Sequence, residues 1–166
     1  MKVLVAGIGN IFLSDDGFGV EVVTRLSGRT VPEGVRVADF GIRGVHLAYE
    51  LLDGYDVLVL VDAMPMGEPP GTLAVIEPDP VPMPQQGDDV APVVDAHSMN
   101  PGVVLGMLAG LGGTVERIMI VGCEPANLDE GIGLSPQVAD TVDRAVDLCL
   151  GVLADLFETA GKESRP

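Results

Sequence analysis

Five consecutive apolar residues, Val57 through Val61, stop abruptly at Asp62. A run that short and that uniformly apolar suits a strand buried on both faces, as in a parallel sheet covered by helices. Val3-Leu4-Val5-Ala6 has the same character and is closed by Gly7, and Ile118-Met119-Ile120-Val121 repeats it late in the chain. Helical patterns separate the early strands. Asp15-Asp16-Gly17 opens a stretch with Val20, Val23 and Leu26 on one face, and Gly44 to Leu52 reads as a second helix after a strand at Val35 to Phe40. The order β-α-β-α-β implies parallel strands joined by right-handed crossovers.

The alternation then breaks. Thr72 to Ile76 reads as a fourth strand, reached from the third by a Pro/Gly-rich loop too short for a crossover helix. Such a strand is expected to be antiparallel, at or near an edge. Residues 78–95 are Pro-rich and acidic and read as an exposed loop suited to partner choice. A helix is expected over Met99 to Leu111, and a long one over Pro136 to Phe157, with Ser135 as N-cap and proline at the first helical position. The expectation is one domain over 1–159, with 160–166 a disordered tail.

Composition narrows the function. Among 166 residues, 25 acids against 9 bases leave a net charge of −16. A chain so acidic has no basic face for nucleic acid or an anionic membrane. Hydrophobic residues still make up 47%, enough for a sizeable core, although aromatics are only 4% and Trp is absent. The N-terminal apolar run meets Asn10, Asp15 and Asp16 too early for a secretory leader. Cys123 and Cys149 form no CxxC pair and read as core thiols, so a reducing cytoplasm is expected.

Ligands of open α/β sheets bind beyond the carboxyl ends of the strands. There this chain places Gly9-Asn10 and Asp15-Asp16, then Asp39, Gly41 and Arg43, then Asp62, and finally Cys123-Glu124; His97 returns after the antiparallel strand. Two carboxylates and an imidazole suit a divalent ion of the nickel or zinc type, which would relieve their repulsion. Each residue also has a plainer reading. Asp15 and Asp16 can cap a helix, Asp62 can end a strand, His97 can begin a helix, His46 can lie on a surface, and Glu124 can hold its loop. Gly7-Ile8-Gly9 invites a dinucleotide reading, but the third glycine of that fingerprint is replaced by Phe12, and paired acids would repel pyrophosphate. No nucleotide is expected.

The string Gly7-Ile8-Gly9-Asn10-Ile11-Phe12-Leu13-Ser14-Asp15-Asp16-Gly17-Phe18-Gly19 resembles the opening signature of the hydrogenase maturation endopeptidases. Asp39-Phe40-Gly41-Ile42-Arg43-Gly44, Val61-Asp62-Ala63, Asp95-Ala96-His97 and Gly122-Cys123-Glu124-Pro125 follow in that family's order. The resemblance implies a three-layer α/β/α sandwich on a five-strand mixed, mostly parallel sheet with one antiparallel strand. It implies a cytoplasmic, monomeric protease that removes the C-terminal extension of a nickel–iron hydrogenase large-subunit precursor. Asp16, Asp62 and His97 would be both catalytic and metal-contacting, the nickel being supplied by the substrate, and Asp39, Asn10 and Gly41 would bind the substrate. The cut would use either a metal-activated water or an aspartate base, as in an aspartyl-type protease. Ser14 and Ser98 lack a paired base in sequence and Cys123 lies on a strand end, so neither serine- nor cysteine-protease chemistry is expected. A non-catalytic nickel chaperone using the same acids is the alternative.

Overall fold

The computed structural model describes residues 1–78 and 101–163. Five strands, β1 (Val3–Ile8), β2 (Val35–Gly41), β3 (Val57–Ala63), β4 (Leu73–Ile76) and β5 (Arg117–Cys123), form one sheet in the order β2-β1-β3-β5-β4. The β1–β2, β1–β3 and β3–β5 pairs are parallel, and β4 runs antiparallel to β5 at the edge, as its short connection required. The helices are α1 (Phe18–Leu26), α2 (Gly44–Leu51), α3 (Pro101–Gly110), α4 (Pro136–Ala139) and α5 (Val142–Glu163).

Strand alternation divides the core into two halves. Val3, Val5, Val57, Val59 and Val61 pack with α1 and α5 through Phe18, Val22, Leu26, Val142, Val146, Cys149 and Leu153. Leu4, Leu58 and Leu60 face the other way, against Leu47 and Leu51 of α2 and Val104 and Leu108 of α3. Successive strand side chains point to opposite faces, so the alternating Val-Leu run of β3 supplies β-branched residues to one layer and leucines to the other. Both Cys123 and Cys149 are buried, unbridged thiols in the α1/α5 half.

Two departures from the sequence reading concern helices. The terminal helix is interrupted: α4 ends at Ala139, and α5 begins at Val142. At the break the Thr141 hydroxyl donates to the Val138 carbonyl (2.7 Å), a side-chain bond that competes with helical pairing. At the other end α5 continues through Glu163, so residues 160–163, assigned to the tail, are helical. A Lys162–Glu158 ion pair at i,i+4 supports that last turn.

The order of connections positions the site. The crossover from β1 leads to β2 on one side, whereas the chain leaves β3 toward β5 and β4 on the other. A crevice therefore opens between the carboxyl ends of β1 and β3, the usual ligand position in such sheets. Gly19 lets α1 enter there: a Cβ on it would lie 2.1 Å from the Val61 carbonyl oxygen and 2.4 Å from that of Ile8.

Candidate active site

Beyond β1 the chain makes a tight loop into a 3-10 turn, Ser14–Gly17, before α1 begins. Gly9 makes the loop possible, with φ of 129° and a Cβ position that the Asp16 carbonyl oxygen occupies. Its N–H donates to the Gly41 carbonyl (3.0 Å), joining the ends of β1 and β2. The Asn10 side chain accepts from the Phe12 N–H (2.9 Å), and its own backbone N–H donates to Asp16 Oδ2 at 2.6 Å. Asn10 and Gly41 thus belong to the frame that orients Asp16. Asp39 is exposed nearby, lining a shallow groove with Arg43, His46 and Tyr49. The Arg43 guanidinium donates to the Asp39 carbonyl oxygen (2.6 Å). His46 is exposed, in keeping with its surface reading.

Asp62 ends the apolar run of β3 and is half-buried, with the 3-10 turn packed against that strand. Burial raises its carboxyl, the Asp16 charge raises it further, and the Ala63 backbone N–H partly offsets both, leaving it near pH 7. Two of the three expected metal-contacting groups are therefore near enough for the charge of one to raise the carboxyl of the other. The third, His97, lies outside the described residues, as do Asp95, Ser98 and most of the 78–95 loop. Among the described residues no group of three or more His, Cys, Asp or Glu side chains is placed to hold a metal ion. The Asp16–Asp62 pair offers two oxygen donors and needs further ligands from elsewhere.

Asp15 does something other than cap a helix. Its fully buried carboxylate accepts the backbone N–H of Ala126 (2.8 Å), Asn127 (2.9 Å) and Ser135 (2.7 Å), and the Ser135 hydroxyl (2.9 Å). Burial alone would raise its pKa, but these bonds outweigh it and hold the carboxyl below its usual value. Ser135 does stand at the N-cap of α4, yet its side chain makes no capping bond and serves Asp15 instead. The doubled acid was the available signal: adjacent residues on a one-turn helix cannot both face the same crevice.

Glu124 does hold its loop. Buried at the end of β5, its carboxylate accepts from the N–H groups of Met66 (2.5 Å) and Glu68 (3.3 Å), fixing the segment that follows Asp62. Neither described nucleophile candidate is poised. The Ser14 hydroxyl donates to the Asp129 carbonyl (2.9 Å) and is buried, and burial pushes the Cys123 thiol up.

A sequence model of the family described as hydrogenase maturation protease matches residues 20–152. The hydrogenase expression/formation protein HupD of Bradyrhizobium diazoefficiens is 33% identical over 167 residues, spanning 99% of this chain and 84% of its own. The hydrogenase 2 maturation protease of Escherichia coli K12 is 30% identical over 157 residues, with 93% and 92% covered. The solved structure of the hydrogenase maturating endopeptidase HybD from E. coli superposes with a TM-score of 0.74 at 29% identity, covering 93% of each chain. The two E. coli relatives are named as a protease and an endopeptidase, and the chain is accordingly a peptidase. With four-fifths of its length matched by that family's model, the chain belongs to the hydrogenase maturation proteases.

Proposed function

We propose that this peptidase removes the C-terminal extension of a nickel–iron hydrogenase large-subunit precursor after nickel insertion, and that Asp16 and Asp62 recognise the nickel the precursor carries. The observation behind this reading is the electrostatic nearness of two carboxylates: burial first, and then the Asp16 charge, raise the Asp62 carboxyl to about 7. A cation delivered between them turns mutual repulsion into attraction at both and displaces that proton. Carboxylate oxygens with the His97 imidazole, added by the sequence resemblance, suit a borderline divalent ion. Because the ion belongs to the substrate, only a loaded precursor presents the charge this pair favours.

Asp16 enters that complex already oriented by the Asn10 N–H, and Asp62 is held by the buried end of β3. Asp39, with Asn10 and Gly41, contacts the precursor polypeptide in this reading. Water, activated either by a carboxylate that takes its proton or by the substrate's metal, attacks the scissile carbonyl; the peptide C–N bond then breaks and the departing amine takes up the water's proton. Both routes use the same pair. The protein acts as a cytoplasmic monomer in this reading, a compartment that suits its unbridged, buried thiols. No helix among the described residues is long and apolar enough to cross a membrane.

The test is to incubate the protein with nickel-loaded and nickel-free precursor and weigh the products. Shortening of the loaded precursor alone is expected. Intact precursor in both tubes would sink the reading.

A further inference from the structure

Four large apolar side chains stand out at the rim of the crevice: Ile132 is 82% exposed, Phe12 60%, Ile11 47% and Leu128 41%. They come from two loops distant in sequence that are stitched together. Gly131 donates to the Phe12 carbonyl (2.9 Å), Ser14 donates to the Gly131 carbonyl (2.9 Å), and Asp15 N–H donates to the Asn127 carbonyl (3.0 Å). Leu13 and Gly131 pair as a parallel β-bridge. The Asp15 carboxylate adds its four bonds from beneath. Ser14 sits at φ of 51°, a conformation costly for a residue with a Cβ, and the stitching holds it there. A slack loop would fold Phe12 and Ile132 inward to bury them; this one is braced so that they point to solvent.

Resting on the proposed function, we infer that these paired loops form a docking ridge for an apolar, basic-flanked segment of the precursor near its cleavage point. Continuity argues for a polypeptide occupant: Phe12 is four residues from Asp16, and its loop runs directly into the 3-10 turn that carries that acid. Charge argues for its chemistry. No Lys or Arg occurs between Lys2 and Arg25, or between Arg117 and Arg144, whereas exposed Asp129 and Glu130 edge the ridge. Complementary charge beside an apolar centre gives register and selectivity to such a contact.

The test compares the wild type, the double variant Phe12→Ser/Ile132→Ser, the conservative Phe12→Leu/Ile132→Val, and Leu52→Ser as an exposed apolar control on α2's far end. Cleavage of nickel-loaded precursor is followed, with thermal midpoints confirming each fold. The double serine variant should raise KM by about tenfold or more with kcat within about twofold, since removing two apolar anchors costs binding rather than chemistry. The conservative pair should recover most of the loss, and Leu52→Ser should match wild type. An unchanged KM in the double serine variant, with the wild type active, overturns the ridge. If the wild type leaves precursor uncut, the proposed function fails. The ridge is then judged from precursor binding by calorimetry, and equal affinity of wild type and double serine variant overturns it.

Discussion

Asp15 and Asp16, neighbours on one 3-10 turn, send their carboxylates to entirely different partners. That of Asp15 is fully buried and spends its lone pairs on Ala126, Asn127 and Ser135, whereas that of Asp16 accepts the Asn10 N–H and helps to raise the Asp62 carboxyl. Adjacent acids thus divide the labour: one braces the rim, and the other carries charge into the crevice.

Asp16→Asn should leave the fold intact and reduce precursor cleavage by at least about a hundredfold, the scale seen when a charged group in direct contact with the reacting centre is neutralised. It should also lower the pKa of Asp62, because one of the two causes of its elevation is removed. A carboxyl-carbon NMR titration of Asp62 reads this directly, and an unmoved midpoint would mean that the two groups do not interact.

Asp62→Asn should stabilise the metal-free protein at alkaline pH while abolishing cleavage. The folded-state pKa of about 7 lies above the unfolded value of about 3.9, so native stability from this group is full below about pH 4 and is lost as pH rises toward 7. Asparagine mimics the neutral acid. At pH 8 the variant should be more stable by roughly 1–3 kcal/mol, at about 1.4 kcal/mol per pKa unit with allowance for solvent screening. Denaturant curves at pH 4 and pH 8 check it: the gap should close at the lower pH.

Asp15→Asn should destabilise by about 2–4 kcal/mol near neutral pH, because one amide oxygen cannot serve four donors and buried N–H groups are left unpaired. Its carboxyl is held below the usual range, so its contribution is present above about pH 4 and lost as pH falls through the folded-state value. Thermal midpoints of wild type and variant should therefore converge in acid. A constant difference across pH would assign the loss to shape rather than charge.

Iodoacetamide should label neither cysteine in the native protein, and cleavage should survive the treatment. Both thiols are buried, and desolvation pushes that of Cys149 up to about 12 and raises that of Cys123. Mass spectrometry before and after denaturation reads the labelling, and modification of folded protein with loss of activity would return Cys123 to the list of nucleophiles.

The succession of strands along the chain, the antiparallel turn of β4 and the placing of Asp62 at a strand end were all legible in the sequence. Each depends on a local pattern: an apolar run, a short loop, an acid after five hydrophobic residues. The break before α5 was not, because it depends on whether the Thr141 hydroxyl takes the Val138 carbonyl in competition with the helix. The partners of Asp15 were equally hidden, since an acid before a helix reads as its cap.

What the sequence determined by itself was therefore periodicity and its consequences: strands buried on both faces, two covering layers, and acids delivered to the carboxyl edge of a parallel sheet. What only the tertiary structure decided was the division among those acids and the bracing of the rim. The partners of Asp15 are 111 to 120 residues away along the chain, and Phe12 meets Gly131 only because β1 and β5, on either side of β3 and parallel to it, finish at the same carboxyl edge of the sheet. A hydrogen bond across that span leaves no period in the sequence, because its geometry exists only once the sheet has been assembled.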